Sequence, residues 1–410
     1  ITGGNAQEGG GVYVATGSQL TMTGGNIVGC LSTDVGGGVY LNGLRGTSDQ
    51  TVFTMTGGSI TGCKANVTDG GGGVNVAKGT FTMKGGSIIA CTADGLGGGV
   101  HIMNGGSFTM SSGTIRDCRS IDIRAYGGGV YIGRGQFTME GGSITGCKAV
   151  GTSGNEGFGR GGGVYNLGTF TMSGGIIEGD CTASGSGGGV YNEKILYANG
   201  GEIAGDVMNG KPAQTTGTIT GSGGTKFSGK VTNNKTQDDD SIIESGTFTG
   251  EVSNEGKILG GDFSGATLSG TLVITFDPNN GEPISTKEVN LGSDGAALTP
   301  PDPAPTKEGY ILDGWYWYYN NNGTETKWNF DTDKAKYTMT LKAKWVFRVT
   351  LYPNGGTIAS GKEVTGYIDG TGAALPTADD ITREGYRFDG WYADSSFSGS
   401  PVTEIADTET

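Results

Sequence analysis

Seven positions at one fixed place behind a glycine triplet read Tyr13, Tyr40, Asn75, His101, Tyr131, Tyr165 and Tyr191. Aromatic rings repeated along one face are the groups that stack on sugars or accept a partner protein, and the same rings can equally brace neighbouring strands. His101 is the single histidine of the chain, so imidazole acid–base chemistry would have to fall on it. It stands where five other copies carry tyrosine, which reads as a surface substitution in an outward row rather than a catalytic group. Glycosidic cleavage needs two carboxylates at a defined separation. The acidic residues of the regular copies, Asp34, Asp69, Asp94, Asp117, Asp122, Glu140 and Glu178, share no common place in the repeat.

The elements that must position this column are themselves repeated. A glycine triplet followed by valine ends at Val12, Val39, Val74, Val100, Val130, Val164 and Val190, at intervals of 27, 35, 26, 30, 34 and 26 residues. After the valine comes Phe-Thr-Met (Leu20-Thr21-Met22 in the first copy), then a Gly-Gly-x-Ile-like segment and a cysteine. From Phe or Leu to Cys the spacing is ten residues in five copies and eleven in the last, Phe170 to Cys181, so this stretch is scaffold. Length varies at Leu44–Gln50 and between Lys148 and Gly163, which marks loops. Periods of this size belong to stacked repeats, in which one unit cannot bury its apolar face alone.

Three short strands are predicted per repeat: Val39-Tyr40-Leu41, Phe53-Thr54-Met55 and Ser59-Ile60-Thr61 in the second copy. Alternation sends Val39, Leu41, Phe53 and Met55 to one face, and Tyr40 and Thr54 to the other. Glycine density and β-branched residues disfavour helix. The expectation is an all-β chain built on a three-sided, right-handed parallel β-helix with Phe over Phe and Val over Val. The glycine triplets would supply unusual backbone angles at its corners.

Six cysteines, one per coil, would stack about 4.8 Å apart, a separation that suits reduced thiols better than disulfides. Counting from the Gly-Gly pair puts Asp180 rather than Cys181 in the last slot, so a bulge or loss of the ladder is expected there. Thr21, Thr54, Thr82, Thr109, Thr138 and Thr171 form a second outward row, similar to that of ice-binding β-helices. Lys84 and Glu140 roughen that face.

The chain has 410 residues, 85 of them glycine, with 34% apolar and 17% charged residues: enough for a long thin core. A net charge of −14 argues against nucleic acid or anionic lipid as partner. No run of about 18 apolar residues is present, so no membrane insertion is expected within this segment. Ile1-Thr2-Gly3 aligns with Ile60-Thr61-Gly62 in mid-coil, which leads us to expect an excerpt of a longer protein. No cofactor or metal is expected: the Asp238-Asp239-Asp240 run lacks calcium-loop spacing, and no CxxC or phosphate-loop motif occurs.

Regular coils are expected to about residue 192, and shorter coils, marked by Phe227-Ser228-Gly229 and Phe248-Thr249-Gly250, to about 270. Beyond Gly270 lie all five tryptophans and nine of the ten prolines. Two copies of another pattern follow, in 271–346 and 347–410. The first carries Ile274-Thr275-Phe276-Asp277-Pro278, Gly309-Tyr310, Asp313-Gly314-Trp315 and Leu341-Lys342-Ala343-Lys344-Trp345. The second carries Val349-Thr350-Leu351-Tyr352-Pro353, Gly385-Tyr386 and Asp389-Gly390-Trp391, without a closing strand. These motifs resemble the Listeria–Bacteroides repeat, also called the internalin B-repeat. The resemblance implies small β-grasp-like domains used as spacers or binding elements on bacterial surface proteins. The coils resemble the glycine-rich, pectate-lyase-like β-helices of bacterial adhesins.

The function these readings imply is non-enzymatic: a secreted or surface-attached bacterial stalk presenting loops or a face to a glycan or a host or matrix protein. The predicted contact residues are Tyr13, Tyr40, Tyr131, Tyr165 and Tyr191, with Phe158 and Arg160 on the loop Gly151–Arg160. The alternative is a polysaccharide lyase or glycoside hydrolase on a β-helix, although the polygalacturonase-like Asn-Thr-Asp, Asp-Asp and Gly-His-Gly cluster is absent.

Overall fold

Valine or isoleucine at alternate places after each glycine triplet suits a pleated, buried strand, and each triplet is followed by one. In a computed structural model, which describes residues 1–43, 51–103, 105–152, 159–236, 238–318, 325–368 and 370–406, the chain is all-β. It divides into two units. The first comprises Ile1–Leu272, Glu288–Ala296 and Ala335–Thr338; the second comprises Val273–Lys287, Ala297–Lys334 and Met339–Thr410.

In the first unit the strands form long sheets in which each strand pairs in parallel with its counterpart one repeat away, consistent with a β-helix. One sheet runs through Val12–Val14, Val39–Leu41, Val74–Val76, Val100–Ile102, Val130–Ile132, Val164–Asn166 and Val190–Asn192, valine opposite valine throughout. The Phe-Thr-Met and Ser-Ile-Thr segments, expected on separate sides, share a second sheet. In Gly79–Ile89 and Gly106–Arg116 they are one strand with an irregularity at the middle. The third sheet consists of strands of two or three residues after the cysteine, such as Lys64–Ala65, Thr92–Ala93 and Arg119–Ile121. Its inward residues are small, Ser32, Ala65, Ala93, Ser120 and Ala149, all fully buried.

The core is a set of like-on-like columns. Phe53, Phe81, Phe108, Phe137 and Phe170 stack with centroids 4.6 to 5.0 Å apart and ring planes within 9°. Phe227, Phe248 and Phe263 stack in the same way in the shorter coils. Thr54, Thr82, Thr109, Thr138 and Thr171, after the first five of these Phe, are half-buried rather than exposed, because their neighbours in the row crowd them from above and below.

Only the first glycine of a triplet needs its backbone angle, with φ between 62° and 70° at Gly9, Gly36, Gly97, Gly127, Gly161 and Gly187. The third is required by contact. A Cβ on Gly99 would lie 2.6 Å from the Gly129 carbonyl oxygen, 2.9 Å from Ile115 Cγ2 and 3.4 Å from Cys118 Sγ. Glycine, isoleucine and cysteine of one coil therefore close on one another. All six cysteines are buried and free. The thiols of Cys63, Cys91, Cys118, Cys147 and Cys181 point at isoleucine carbonyls of the preceding coil, 3.7 Å for Cys118 to Ile88 and 3.6 Å for Cys181 to Ile144. Cys181 thus keeps its slot. The extra residue is absorbed between Ile177, opposite Ile144, and Thr182, opposite Lys148. Burial, helped by thiol contacts with Cys147 and Cys91, pushes the Cys118 thiol well above its ordinary pKa.

From the sixth coil onward the inward apolar position becomes asparagine. Asn166, Asn192, Asn209, Asn233 and Asn254 are fully buried. Each Nδ2 donates to the Oδ1 of the next, at 2.7, 2.8, 2.7 and 2.7 Å. Each also donates to a backbone carbonyl, as Asn209 does to Ile242 at 3.1 Å. A continuous amide ladder satisfies polar groups that would otherwise be costly to bury.

In the second unit, residues 274–277 of the strand Thr267–Asp277 pair in parallel with Met339–Arg348, and that strand pairs antiparallel with Tyr310–Tyr318. Trp345 Nε1 donates to the Pro278 carbonyl at 2.8 Å. The second repeat has its own apolar cluster of Leu375, Ile381 and Trp391.

The phenylalanine column predicts that Phe108→Ala lowers unfolding free energy by roughly 3–5 kcal/mol, because two stacked neighbours keep the void open. Denaturant titration reads this directly, and a loss below about 1 kcal/mol would contradict a close-packed column.

Candidate functional site

The expected aromatic row exists and is in register. Tyr13 opposes Tyr40, which opposes Asn75, then His101, Tyr131, Tyr165 and Tyr191. Tyr131, Tyr165 and Tyr191 stack at 5.4 and 5.3 Å with planes within 16°. Alternation does send these rings away from the Val and Ile core. They are nevertheless covered: Tyr13 is 45% exposed, whereas Tyr40 and Tyr131 are 8% exposed, Tyr165 3% and Tyr191 2%.

The cover comes from residues just before the glycine triplets. Leu96, Tyr126, Arg160 and Ser186 form a minor parallel column of their own. Tyr126 stacks on Tyr165 at 4.7 Å, and Leu96, Leu167 and Met208 close the cluster. The Arg160 guanidinium lies 5.5 Å from both the Tyr126 and Tyr191 ring centres and donates to Tyr126 Oη at 3.3 Å. Tyr165 Oη donates to the buried carboxylate of Glu193, which also accepts from Thr215 Oγ1 at 2.6 Å. Burial first, then the Glu193 charge, raises the Tyr165 pKa strongly, and burial raises Tyr131 to about 12.

Four of the five predicted contact tyrosines are therefore packed side chains, and only Tyr13 presents a ring to solvent. Arg160 does sit beside the tyrosines, as a clamp over two rings. Phe158 lies outside the described residues, as does most of the loop Gly151–Arg160. Replacing Tyr131 and Tyr165 removes packed core rather than a free face. Glu193 and Tyr126 were not singled out from the sequence, because the residue type at each of their places changes from coil to coil.

His101 is 4% exposed, which corrects its reading as a surface substitution. Its Nδ1 lies 3.0 Å from the Asp69 carbonyl oxygen, and its ring meets Tyr131 edge-on at 5.0 Å. Burial lowers its pKa to about 4, so it is neutral at pH 7. The Asn75 side-chain amide beside it is buried and has no hydrogen-bond partner among the described residues. Together the row gives an aromatic brace closed by one cation and one carboxylate.

The Listeria-Bacteroides repeat domain profile matches residues 273–344 and 347–410. A protein of Evansella cellulosilytica with the provisional name Gly-rich membrane protein is 35% identical over 127 residues, 30% of this chain and 13% of that protein. A second protein of the same organism, provisionally named a membrane protein, is 31% identical over 140 residues, 33% of this chain and 18% of its own length. The chain thus spans less than a fifth of the curated relatives it matches. No solved structure shows significant similarity. Among the described residues, no helix is long and apolar enough to cross a membrane.

His101 gives the site a pH signature. Its folded pKa of about 4 lies below the ordinary 6.5, so the unfolded chain binds the proton more readily between those values. The stability it contributes is complete above pH 6.5 and falls as pH drops to 4, by up to about 3 kcal/mol. His101→Tyr, which installs the residue of five other coils, should flatten that slope in pH-dependent denaturation. An unchanged slope would place the acid sensitivity elsewhere.

Proposed function

We propose that this chain is part of a non-enzymatic bacterial surface protein, in which a coiled stalk presents loops to a glycan or a host or matrix protein and tandem repeats act as spacers. The coils are read as a three-sided, right-handed parallel β-helix of the kind found in pectate-lyase-like adhesins, and the repeats as β-grasp-like. The observation that carries this reading is the tandem match to a surface-type repeat, on a chain whose coils use their aromatic row and their one histidine for packing. The provisional names of the relatives, both membrane proteins, support a location at the cell envelope.

A buried imidazole held neutral against a backbone carbonyl offers no proton to a substrate, and the Glu193 carboxylate is engaged by Tyr165 and Thr215. These placements favour binding over cleavage. Ligand contact is assigned to the exposed end of the row at Tyr13 and to the loop carrying Phe158, where a rigid scaffold tolerates variation, with Arg160 at the loop's end held over Tyr126 and Tyr191.

Purified chain incubated with acidic and neutral polysaccharides should release no new reducing ends or unsaturated products, while glycan and matrix-protein arrays should show saturable binding to one ligand class. Accumulating product would instead establish a carbohydrate-active enzyme. Antibody raised to the chain should label intact, unpermeabilised cells.

A further inference from the structure

The third sheet changes its outward character in two adjacent coils. Along it Lys64 opposes Thr92, Thr92 opposes Arg119, Arg119 opposes Lys148, and Lys148 opposes Thr182. Ser120 and Ala149 point inward, so Arg119 and Ile121 of one coil, and Lys148 and Val150 of the next, point out. The place after the inward small residue is Gln7, Thr33, Asn66, Asp94 or Ser184 in other coils, and aliphatic at Ile121 and Val150. Ile121 opposes Val150 directly. The strand Arg119–Ile121 ends at Asp122, with φ of 91°, and the turn beyond it carries Ile123 and Arg124. Ile123 is 63% exposed and Val150 41%, and Arg119 and Arg124 are exposed as well.

Folding does not require this arrangement. Cations directly opposite one another at a strand spacing of about 4.8 Å repel, and threonine fills the same place in the coils on either side. The carboxylates of the flanking segments are engaged elsewhere: Asp94 with Lys64 at 3.3 Å, Asp117 with Arg116 at 2.7 Å, and Asp122 and Asp180 with the amides of Ile123 and Gly146 at 2.8 and 2.7 Å. Arg119, Arg124 and Lys148 thus make no ion pair among the described residues. Beside Ile121, Ile123 and Val150 they form a cationic, aliphatic patch on a chain of net charge −14.

We propose that this face is a docking surface for an extended acidic segment of a protein partner, with aliphatic side chains between its carboxylates. The guanidinium forks of Arg119 and Arg124 each match a carboxylate, and Lys148 adds a compact third charge. Ile121, Ile123 and Val150 cover the aliphatic carbons of the segment. A sugar would need a flat ring to lie on, and no aromatic side chain stands among these outward positions. The patch belongs to a different sheet from the tyrosine row, so it is independent of the ligand contact assigned to Tyr13.

The test uses the full 410-residue chain and an array of short synthetic peptides in which Asp or Glu is combined with Leu, Ile or Val at varied spacing. The peptide retained most strongly, labelled for anisotropy, should bind saturably, with an affinity that falls as ionic strength rises. Arg119→Thr with Lys148→Thr, which installs the residue of the neighbouring coils, should weaken binding at least about tenfold while the chain unfolds at the same denaturant concentration or a higher one. Ile123→Ser with Val150→Ser, which keeps every charge, should weaken it too. Absence of any saturable peptide, binding unchanged in either double variant, or equal binding of the Asn and Gln version of the peptide would overturn the assignment. Equal binding of an acidic peptide without aliphatic residues, or full displacement by polygalacturonate, would assign the patch to anions in general and overturn it. Dimerisation of the chain that the paired threonine substitutions abolish would assign the face to a second copy and overturn it as well.

Discussion

Coils that pair in parallel at about 4.8 Å leave each inward side chain resting on the same position of the coil above and the coil below. Everything else in the first unit follows from that spacing. A column tolerates a residue only if it packs on itself, which favours stacked Phe rings, repeated Val and Ile, and small thiols. The third glycine of the first five triplets sets how closely a coil can fold on its own isoleucine and cysteine. A Cβ on Gly38 would lie 2.5 Å from the Gly73 carbonyl oxygen and 2.6 Å from Ile60 Cγ2, so both the stacking and the turn would have to give. Where apolar columns change, the replacement obeys the same rule, since asparagine can donate to and accept from another asparagine one coil away.

This rule also accounts for what was legible in the sequence. Phe53, Met55, Val39 and Ile60 declare their face by alternation, and the structure stacks each on its counterparts. The third sheet left no such trace, because Lys64–Ala65 and Thr92–Ala93 are two residues long and bury only a small side chain. Asn166 and its successors were hidden by polarity: an amide reads as solvent-facing until its neighbour above and below is seen to be another amide. The recurring Val-x-Asn text at 164–166, 190–192, 207–209, 231–233 and 252–254 was the available signal. The tyrosine row was legible as a row that could either meet a ligand or brace the strands, and its cover by Leu96, Tyr126 and Arg160 was not, because these come from segments of unequal length.

The functional consequence is a division of labour. The columns make a rigid scaffold whose identity is fixed by packing, and the aromatic row with Arg160 and Glu193 belongs to that scaffold. Variation in length is left to the loops between columns. In the second unit two repeats share the same turn angles, as at Asn279 and Asn354 and at Gly309 and Gly385.

The central claim, one fixed step per coil with every column in constant register, is tested most directly by distances along the threonine row. Paired spin labels at Thr21 and Thr138, four coils apart, should report roughly 19 Å by pulsed electron resonance, and Thr21 with Thr171, five coils apart, roughly 24 Å. A rise of about 4.8 Å for the added coil agrees with stacked parallel coils. Equal distances for the two pairs, or a shorter one for Thr171, would contradict them.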